Sequence, residues 1–588
     1  MKVGKPGPKL IIGLILALLF GAALFLRVYL PYDKIFTAEG IKFNGTDAYY
    51  FMRQVDNLLH NFPHYTSIDP YFLYPGGVIG EVSIRFFVWF LATMTWVIGL
   101  GAPTGHTIDV VGVYFPAVLG ALTVIPVYFI GKELFGRWAG VFAAGLITVL
   151  PGEFLGRSVL GYTDYHIAET LFTTLTMLFL ILAIKTASQR QLTFSHLKRR
   201  DWVTMAKPAI YSLLAGIFLG IYIFTWQGAL LFVFIIAVYM VLQFIIDHLK
   251  GRYSDYLSFV GIITFLVALV ISWLVAAGTF FLVSEVIVLL SLLVLSGVAH
   301  LMVHQKIKSA YYPLVLLGLG LAGLGIFYLI SPSFLVSMLG LFAVLIPKGA
   351  QLTTMEMQPI LFPSGNFSLG VTWGNFPGLL PLDTTTTGLT FGNIFSLMTT
   401  SLFLSFIALG MLIYFVIKQG STEKSLLVVW SLIILLATLE QRRFAYYFAV
   451  NVALLSGYLS WRVLGLVDIK EDSNGVVTTQ RETNTKKDRP RKASSSVTTT
   501  YVVKALSVLI VFFVVFFPNV APAIDTARQV PFAPVDAWVS SLSWLKENTP
   551  DPFGNPDFYY ELQKPPPVGE NYTYPESAYG VMAWWDYG

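Results

Sequence analysis

The sequence predicts an all-α protein that crosses a membrane about thirteen times, followed by the start of a C-terminal external α/β domain. Three observations predict this. Of 588 residues, 56% are hydrophobic and only 12% are charged, about half the charged share of an ordinary soluble chain. With a mean hydropathy of +0.70, the apolar residues fall in blocks near the ~20 residues that span a ~30 Å hydrocarbon core. A soluble helix would carry a polar stripe instead. Finally, the basic residues collect in alternate loops, as the two sides of a membrane require.

The first element, Leu10–Leu26 behind Lys2, Lys5 and Lys9, has the charge of a signal peptide without a small-residue cleavage site. It reads as an uncleaved first span. Apolar blocks then place the spans at 10–30, 110–130, 139–155, 167–184, 209–225, 229–246, 257–277, 286–303, 311–330, 395–417, 426–440, 444–464 and 501–518. With a cytoplasmic N-terminus, this count puts Lys132–Arg137, Lys185–Lys207, Lys250–Arg252, Gln305–Lys308, Lys418–Lys424 and Lys470–Lys504 on the cytoplasmic side, where basic loops belong. Phe86–Ala102 is apolar enough to be a fourteenth span, but counting it would invert every later loop. It reads as an interfacial or partly buried helix inside a long external loop, 31–109.

The other external parts are 156–166, 331–394 and everything after 518. Residues 471–500 are polar, charged and free of aromatics, the composition of a disordered cytoplasmic linker. The chain thus divides into a membrane domain, 1–518, and an external segment, 519–588, rich in Pro, Tyr and Trp. That segment is too short for a good core of its own and reads as the beginning of a larger domain. With no cysteine, disulfides and thiolate zinc sites are excluded. The net charge of +5 lies in loops, a topology signal and not a nucleic-acid surface.

Charges that sit against this topology are the candidates for chemistry. On the external side these are Asp47 in Gly45-Thr46-Asp47-Ala48-Tyr49-Tyr50, Asp164 and His166 directly before the fourth span, Glu356 in the 331–394 loop, and Arg442 with Arg443 between two late spans. Each alone has a plain reading: an aspartate before a helix is commonly an N-cap, and arginines at a span end snorkel to headgroups. Together, two carboxylates and an imidazole on one face suit a divalent cation, with mixed oxygen and nitrogen ligation pointing to Mn²⁺ or Mg²⁺. An arginine beside them offers a planar fork for a phosphate, and the membrane setting makes that a lipid phosphate.

The chain ends on Trp584-Trp585-Asp586-Tyr587-Gly588, and this pentapeptide resembles the signature of oligosaccharyltransferase catalytic subunits. Over essentially its whole length the chain is similar to the archaeal, AglB-type members of that family, whose membrane domain is of the GT-C glycosyltransferase type. The Asp47 segment resembles the family's first acidic motif, Asp164-Tyr165-His166 its second, and Thr353-Thr354-Met355-Glu356 its TIxE motif, with Thr354 in place of an apolar residue. Arg443-Phe444-Ala445-Tyr446-Tyr447 resembles an arginine motif at that place. The family's external domain continues beyond WWDYG, so the resemblance implies that this sequence is truncated.

What the resemblance implies is a metal-dependent transfer, inverting at C1, from a dolichyl mono- or diphosphate-linked oligosaccharide to the asparagine of Asn-x-Ser/Thr in unfolded acceptor polypeptides. Asp47, Asp164 and His166 would bind Mn²⁺ or Mg²⁺. Asp47 and Glu356 would take hydrogen bonds from the acceptor amide, Arg443 and Arg157 would hold the lipid phosphate, and Trp584, Trp585 and Asp586 would receive the sequon hydroxyl. It further implies a multi-pass protein of the cell membrane, in contact with its lipid, working as a single subunit with its active site and C-terminus outside. Two other readings stand beside it: a polyprenyl-phosphate-sugar-dependent protein O-mannosyltransferase, and a lipid or solute transporter. External Asn-x-Ser/Thr triplets occur at Asn44, Asn366 and Asn571. Asn44 is expected to stay bare, because it adjoins Asp47.

Overall fold

The computed structural model describes residues 7–70, 78–79, 82–226, 228–275, 278–333, 336, 355–360, 401–475, 494–530, 533–551, 556–567, 570 and 572–580. Helix α1 (Pro8–Leu24) opens on a proline at its first position, where the missing N–H costs nothing. It runs into a π-turn, Phe25–Tyr29. Two small antiparallel ladders follow: β1 (Phe36–Thr37) with β2 (Gly40–Ile41), and β3 (Ile68–Asp69) with β4 (Val78–Ile79).

Between the ladders lies α2 (Thr46–His60). It is amphipathic, burying Ala48, Phe51, Met52, Val55 and Leu58, the spacing of a helix lying on a surface. The chain enters α2 through Gly45 at φ 122°, a left-handed conformation that a side chain would oppose. Helix α3 (Val82–Ile98) covers the segment expected to be interfacial or partly buried, and packs on α2, α4 (Gly105–Leu122) and α8 (Trp202–Thr225).

Helices α4 and α5 (Val124–Phe135) form one long apolar segment bent at Thr123. Pro126 explains the break, since it has no N–H for Leu122 and its ring crowds that carbonyl. Then come α6 (Arg137–Val149) and α7 (His166–Gln189). Helix α7 is buried along most of its length, between α8 and α5. Helix α8 packs tightly against α10 (Asp255–Leu274): a Cβ on Gly216 would lie 2.5 Å from the Thr264 carbonyl. The bundle continues through α9 (Leu230–Leu249), α11 (Thr279–His304), α12 (Tyr312–Ile330), α13 (Ser401–Gln419), α14 (Thr422–Glu440), α15 (Ala445–Gly475) and α16 (Ser494–Val511).

Among the described residues, twelve helical segments are long and apolar enough to cross a membrane, where the sequence predicts about thirteen. The difference is the 139–155 block. Helix α6 has 13 residues, about 20 Å at 1.5 Å per residue, because Pro151 forces Leu150 out of the helical region (ψ 117°). Its two ends nevertheless lie at opposite ends of the bundle. Near its start, Glu133 pairs with Lys185 of α7 at 3.1 Å; just past its finish, Glu153 pairs with Arg442 at 2.8 Å. Helix α7 itself runs from the Glu153 end to the Lys185 end.

Of 471–500, residues 471–475 and 494–500 prolong α15 and α16 as helix, the flanking spans carrying their hydrogen-bond ladders outward; 476–493 lie outside the described residues. Beyond α16 the described regular elements are α17 (Phe517–Arg528), α18 (Asp536–Asn548) and a turn at Pro556–Tyr560, the start of the C-terminal domain. This segment lies on α2: the Asn57 and Asn61 amides donate to the Tyr559 and Tyr560 carbonyls at 2.7 Å, and His60 stacks on Tyr560.

Candidate active site

One end of the bundle gathers four short segments: the start of α2, the loop 150–165, the turn at Met355–Met357, and the turn Arg442–Phe444. Backbone bonds stitch them together. The Asn44 N–H donates to the Gly161 carbonyl (2.9 Å) and Gly161 N–H to Val113 (2.9 Å), which brings the approach to Asp47 against the loop carrying Asp164. Arg442 N–H donates to Gln358 (3.1 Å) and Ile360 N–H to Leu439 (3.1 Å), which docks the Glu356 turn onto the junction of α14 and α15. Buried Arg27 adds a further tie, donating from Nε to Ser158 Oγ at 2.8 Å while its carbonyl accepts from Leu160 N–H.

These ties assemble a chain of alternating charge. Arg442 Nε meets Glu153 Oε1 at 2.8 Å, Glu153 Oε2 accepts from Arg157 Nε at 3.0 Å, and Arg157 Nη2 meets Glu356 Oε2 at 2.8 Å. Arg157 Nη1 also reaches the Tyr162 hydroxyl at 3.3 Å, and its guanidinium lies over the Tyr446 ring. Burial raises the Glu356 carboxyl, but Arg157, with His166 and Arg443, outweighs it and holds the group at about 2. Glu153 is likewise pushed up by burial and pulled further down by Arg157 and Arg442. Burial works to lower the Arg157 guanidinium, yet its surroundings, with Tyr162, Glu356 and Glu153 foremost, hold it well above its ordinary value. All three are therefore charged at neutral pH.

Beside this chain stands a second group. Asp164 is buried, accepts from Tyr165 N–H at 2.6 Å, and lies 3.2 Å from His166 Nε2. His166 Nδ1 is 3.5 Å from Glu169 Oε1, and Glu169 Oε2 accepts from the hydroxyls of Tyr446 (3.0 Å) and Tyr447. Burial, only partly opposed by His166 and reinforced by the Asp47 charge, pushes Asp164 up to about 7. That field places Asp47, exposed on the first turn of α2, on the same side as Asp164. Arg443 is buried with its guanidinium 5.1 Å over the Trp226 ring, and its Nε has no hydrogen-bond partner.

Whether these residues suit a metal ion is a question of donors. Asp164 and His166 offer an oxygen and a nitrogen side by side, and Glu169 behind His166 is the carboxylate that fixes a ligating imidazole. A buried aspartate facing a second carboxylate also wants positive charge. Among the described residues no three such donors converge closely enough to hold an ion. The donor types, carboxylate oxygens with an imidazole nitrogen, fit Mn²⁺ or Mg²⁺.

Of the residues singled out in the sequence, Asp164, His166, Arg157 and Glu356 come together directly, Asp47 through its field, and Arg443 beside them on Trp226. Trp584, Trp585, Asp586, Thr353 and Thr354 lie outside the described residues. Glu153, Tyr162, Glu169, Tyr446 and Tyr447 were missed as participants. A signal existed for two of them: Glu153 and Glu169 are acids inside the predicted blocks 139–155 and 167–184, where an unpaired carboxylate is expensive.

Fold and site together define a polytopic membrane protein with a buried cluster of ion pairs at one end of its bundle. The chain belongs to the family described as oligosaccharyl transferase STT3, N-terminal, which it matches over residues 10–517; residues 535–588 match the AglB core domain. It is 28% identical to the dolichyl-monophosphooligosaccharide–protein glycotransferase AglB of Haloferax volcanii, over 95% of this chain and 57% of that protein. It is also 28% identical to dolichyl-phosphooligosaccharide-protein glycotransferase 3 of Archaeoglobus fulgidus, over 96% and 61%. A solved structure of archaeal oligosaccharyltransferase AglB from Archaeoglobus fulgidus, in complex with an inhibitory peptide and a dolichol-phosphate, superposes with a TM-score of 0.80 at 25% identity, over 99% of this chain and 63% of that one. The chain thus spans somewhat under two thirds of the length of these relatives.

Proposed function

We propose that this protein transfers an oligosaccharide from a dolichyl-phosphate carrier to the asparagine of Asn-x-Ser/Thr in unfolded polypeptides on the external face of the cell membrane. The observation that carries the reading is the meeting, in a member of this family, of Arg157, Glu356, Asp164 and His166 at one end of the bundle. A relative seen with a peptide and a dolichol-phosphate supports the same pair of substrates here.

An amide nitrogen is a poor nucleophile while its lone pair is conjugated. Asp47 and Glu356 each accept a hydrogen bond from the acceptor NH₂ and twist it out of conjugation, a preorganised positioning. The nitrogen attacks C1 of the sugar from the face opposite the phosphate and gives up one N–H proton to a carboxylate that accepts from it, from which it passes to solvent. The C1–O bond breaks with its electrons passing to the lipid phosphate, and the anomeric centre inverts. Arg157 and Arg443 hold that phosphate through planar forks. Asp47, Asp164 and His166 would hold Mn²⁺ or Mg²⁺, which when bound supplies Lewis-acid stabilisation of the departing phosphate. Trp584, Trp585 and Asp586 receive the Ser/Thr hydroxyl, and a site built to pair a hydroxyl rejects an analogue lacking it. In this arrangement Glu356 turns from Arg157 to the acceptor.

The protein acts as a single subunit, with its N-terminus cytoplasmic and this site outside. Reconstituted protein given a dolichyl-phosphate-linked oligosaccharide should glycosylate a fluorescent Asn-x-Thr peptide and leave an Asn-x-Ala peptide untouched. Equal labelling of both, or of neither, defeats the proposal.

A further inference from the structure

Glu153 has no role in the reaction as set out above, yet it holds two of the site's arginines. It stands on the short turn Glu153–Gly156, where Pro151 has just ended α6, and its side chain is 14% exposed. Its oxygens are divided: Oε2 takes Nε of Arg157 and Oε1 takes Nε of Arg442. A carboxylate bonded to Nε fixes the plane of a guanidinium and leaves its terminal Nη–H donors for other partners. In Arg157, Nη2 is the atom that meets Glu356. The contact with Glu356 has to be released for an acceptor amide, whereas the contact with Glu153 involves no substrate and can persist through a turnover.

We propose that Glu153 is the positioning residue that aims Arg157 at the lipid phosphate, an inference that rests on the lipid-phosphate reading given under Proposed function. Without the Glu153 charge, Arg157 and Arg442 would share a pocket with no anion between them and repel. Arg157 would then depend on Glu356 as its ion-pair partner, and the two would hold each other away from both substrates. The loss falls first on binding of the lipid phosphate, and it is transmitted wholly through Arg157.

The test is equilibrium binding of dolichyl phosphate to the full chain in lipid nanodiscs, for the wild type, Glu153→Gln, Arg157→Gln and the double variant. Glu153→Gln should weaken binding tenfold or more, and adding it to Arg157→Gln should change binding less than twofold, because its route of action is already gone. Glu153→Asp, which keeps the charge, should recover affinity to within threefold of wild type. The proposal is overturned if Glu153→Gln binds within twofold of wild type, or if the two single losses multiply in the double variant. It is equally overturned if Glu153→Asp and Glu153→Gln lose affinity alike, in step with a fall in melting temperature. Should Glu153→Gln fail to fold, Glu153→Asp in the same cycle with Arg157→Gln decides by the same criterion of multiplication. Failure of the wild-type chain to bind dolichyl phosphate at all would instead strike the lipid-phosphate reading, at a step in which Glu153 has no part.

Discussion

Arg157→Gln removes the cation that stands between Glu153 and Glu356, and its cost can be worked from the Glu356 carboxyl. That group is held at about 2 against an ordinary 4.5. At about 1.4 kcal/mol per tenfold change, its surroundings, burial penalty included, favour the charged form by on the order of 3 kcal/mol net. Arg157 is the foremost of the three cations that overcome burial, ahead of His166 and Arg443, and a partly buried pair of this kind is expected to couple by on the order of 2 kcal/mol. The sign follows from the direction of the displacement. A carboxyl lower in the folded than in the unfolded chain adds stability that is complete above the ordinary carboxylate range and is lost as pH falls toward 2. A cycle of Arg157→Gln, Glu356→Gln and the double variant, followed by denaturant unfolding in detergent, should return a coupling of about 2 kcal/mol at pH 7 that shrinks below pH 4. Coupling under about 0.5 kcal/mol at pH 7, or coupling indifferent to acid, would refute the ion chain as drawn; the broader cost of a broken buried pair is about 3–5 kcal/mol.

Three other outcomes are expected. Mn²⁺ affinity, read by electron paramagnetic resonance, should fall as pH drops below about 7, because a proton must then leave Asp164; affinity unchanged from pH 8 to pH 5 would remove Asp164 from the ligand set. Single cysteines introduced at Asp47, Asp164, Glu356 and Asp586, in a chain with none of its own, should react with a small impermeant thiol reagent only from the external side of sealed vesicles. Labelling of any of them from the cytoplasm would sink the orientation. Asn44 is 2% exposed and its N–H is bonded to Gly161, so mass spectrometry of protein from its native membrane should find it bare; substantial glycan there would contradict the placement of that segment.

The sequence by itself determined that helices cross a membrane, nearly how many, and which charges stand at one end of them. These are properties of composition along the chain: a block of ~20 apolar residues is stable as a helix in hydrocarbon whatever its neighbours do. Asp164, His166 and Glu356 were legible for the same reason, as charges against a lateral pattern. The shortness of α6 was legible too, in Pro151, although the apolar block on either side concealed it. Tertiary structure alone decided which charges meet. Arg442 reaches Glu153 across 289 positions of sequence and Glu356 reaches Arg157 across 199, and no periodicity carries such a pairing. It follows from α6 and α14 ending, and α15 beginning, at the same level, so that the acids and arginines left there share one low-dielectric pocket, where a charge without a partner would cost several kcal/mol.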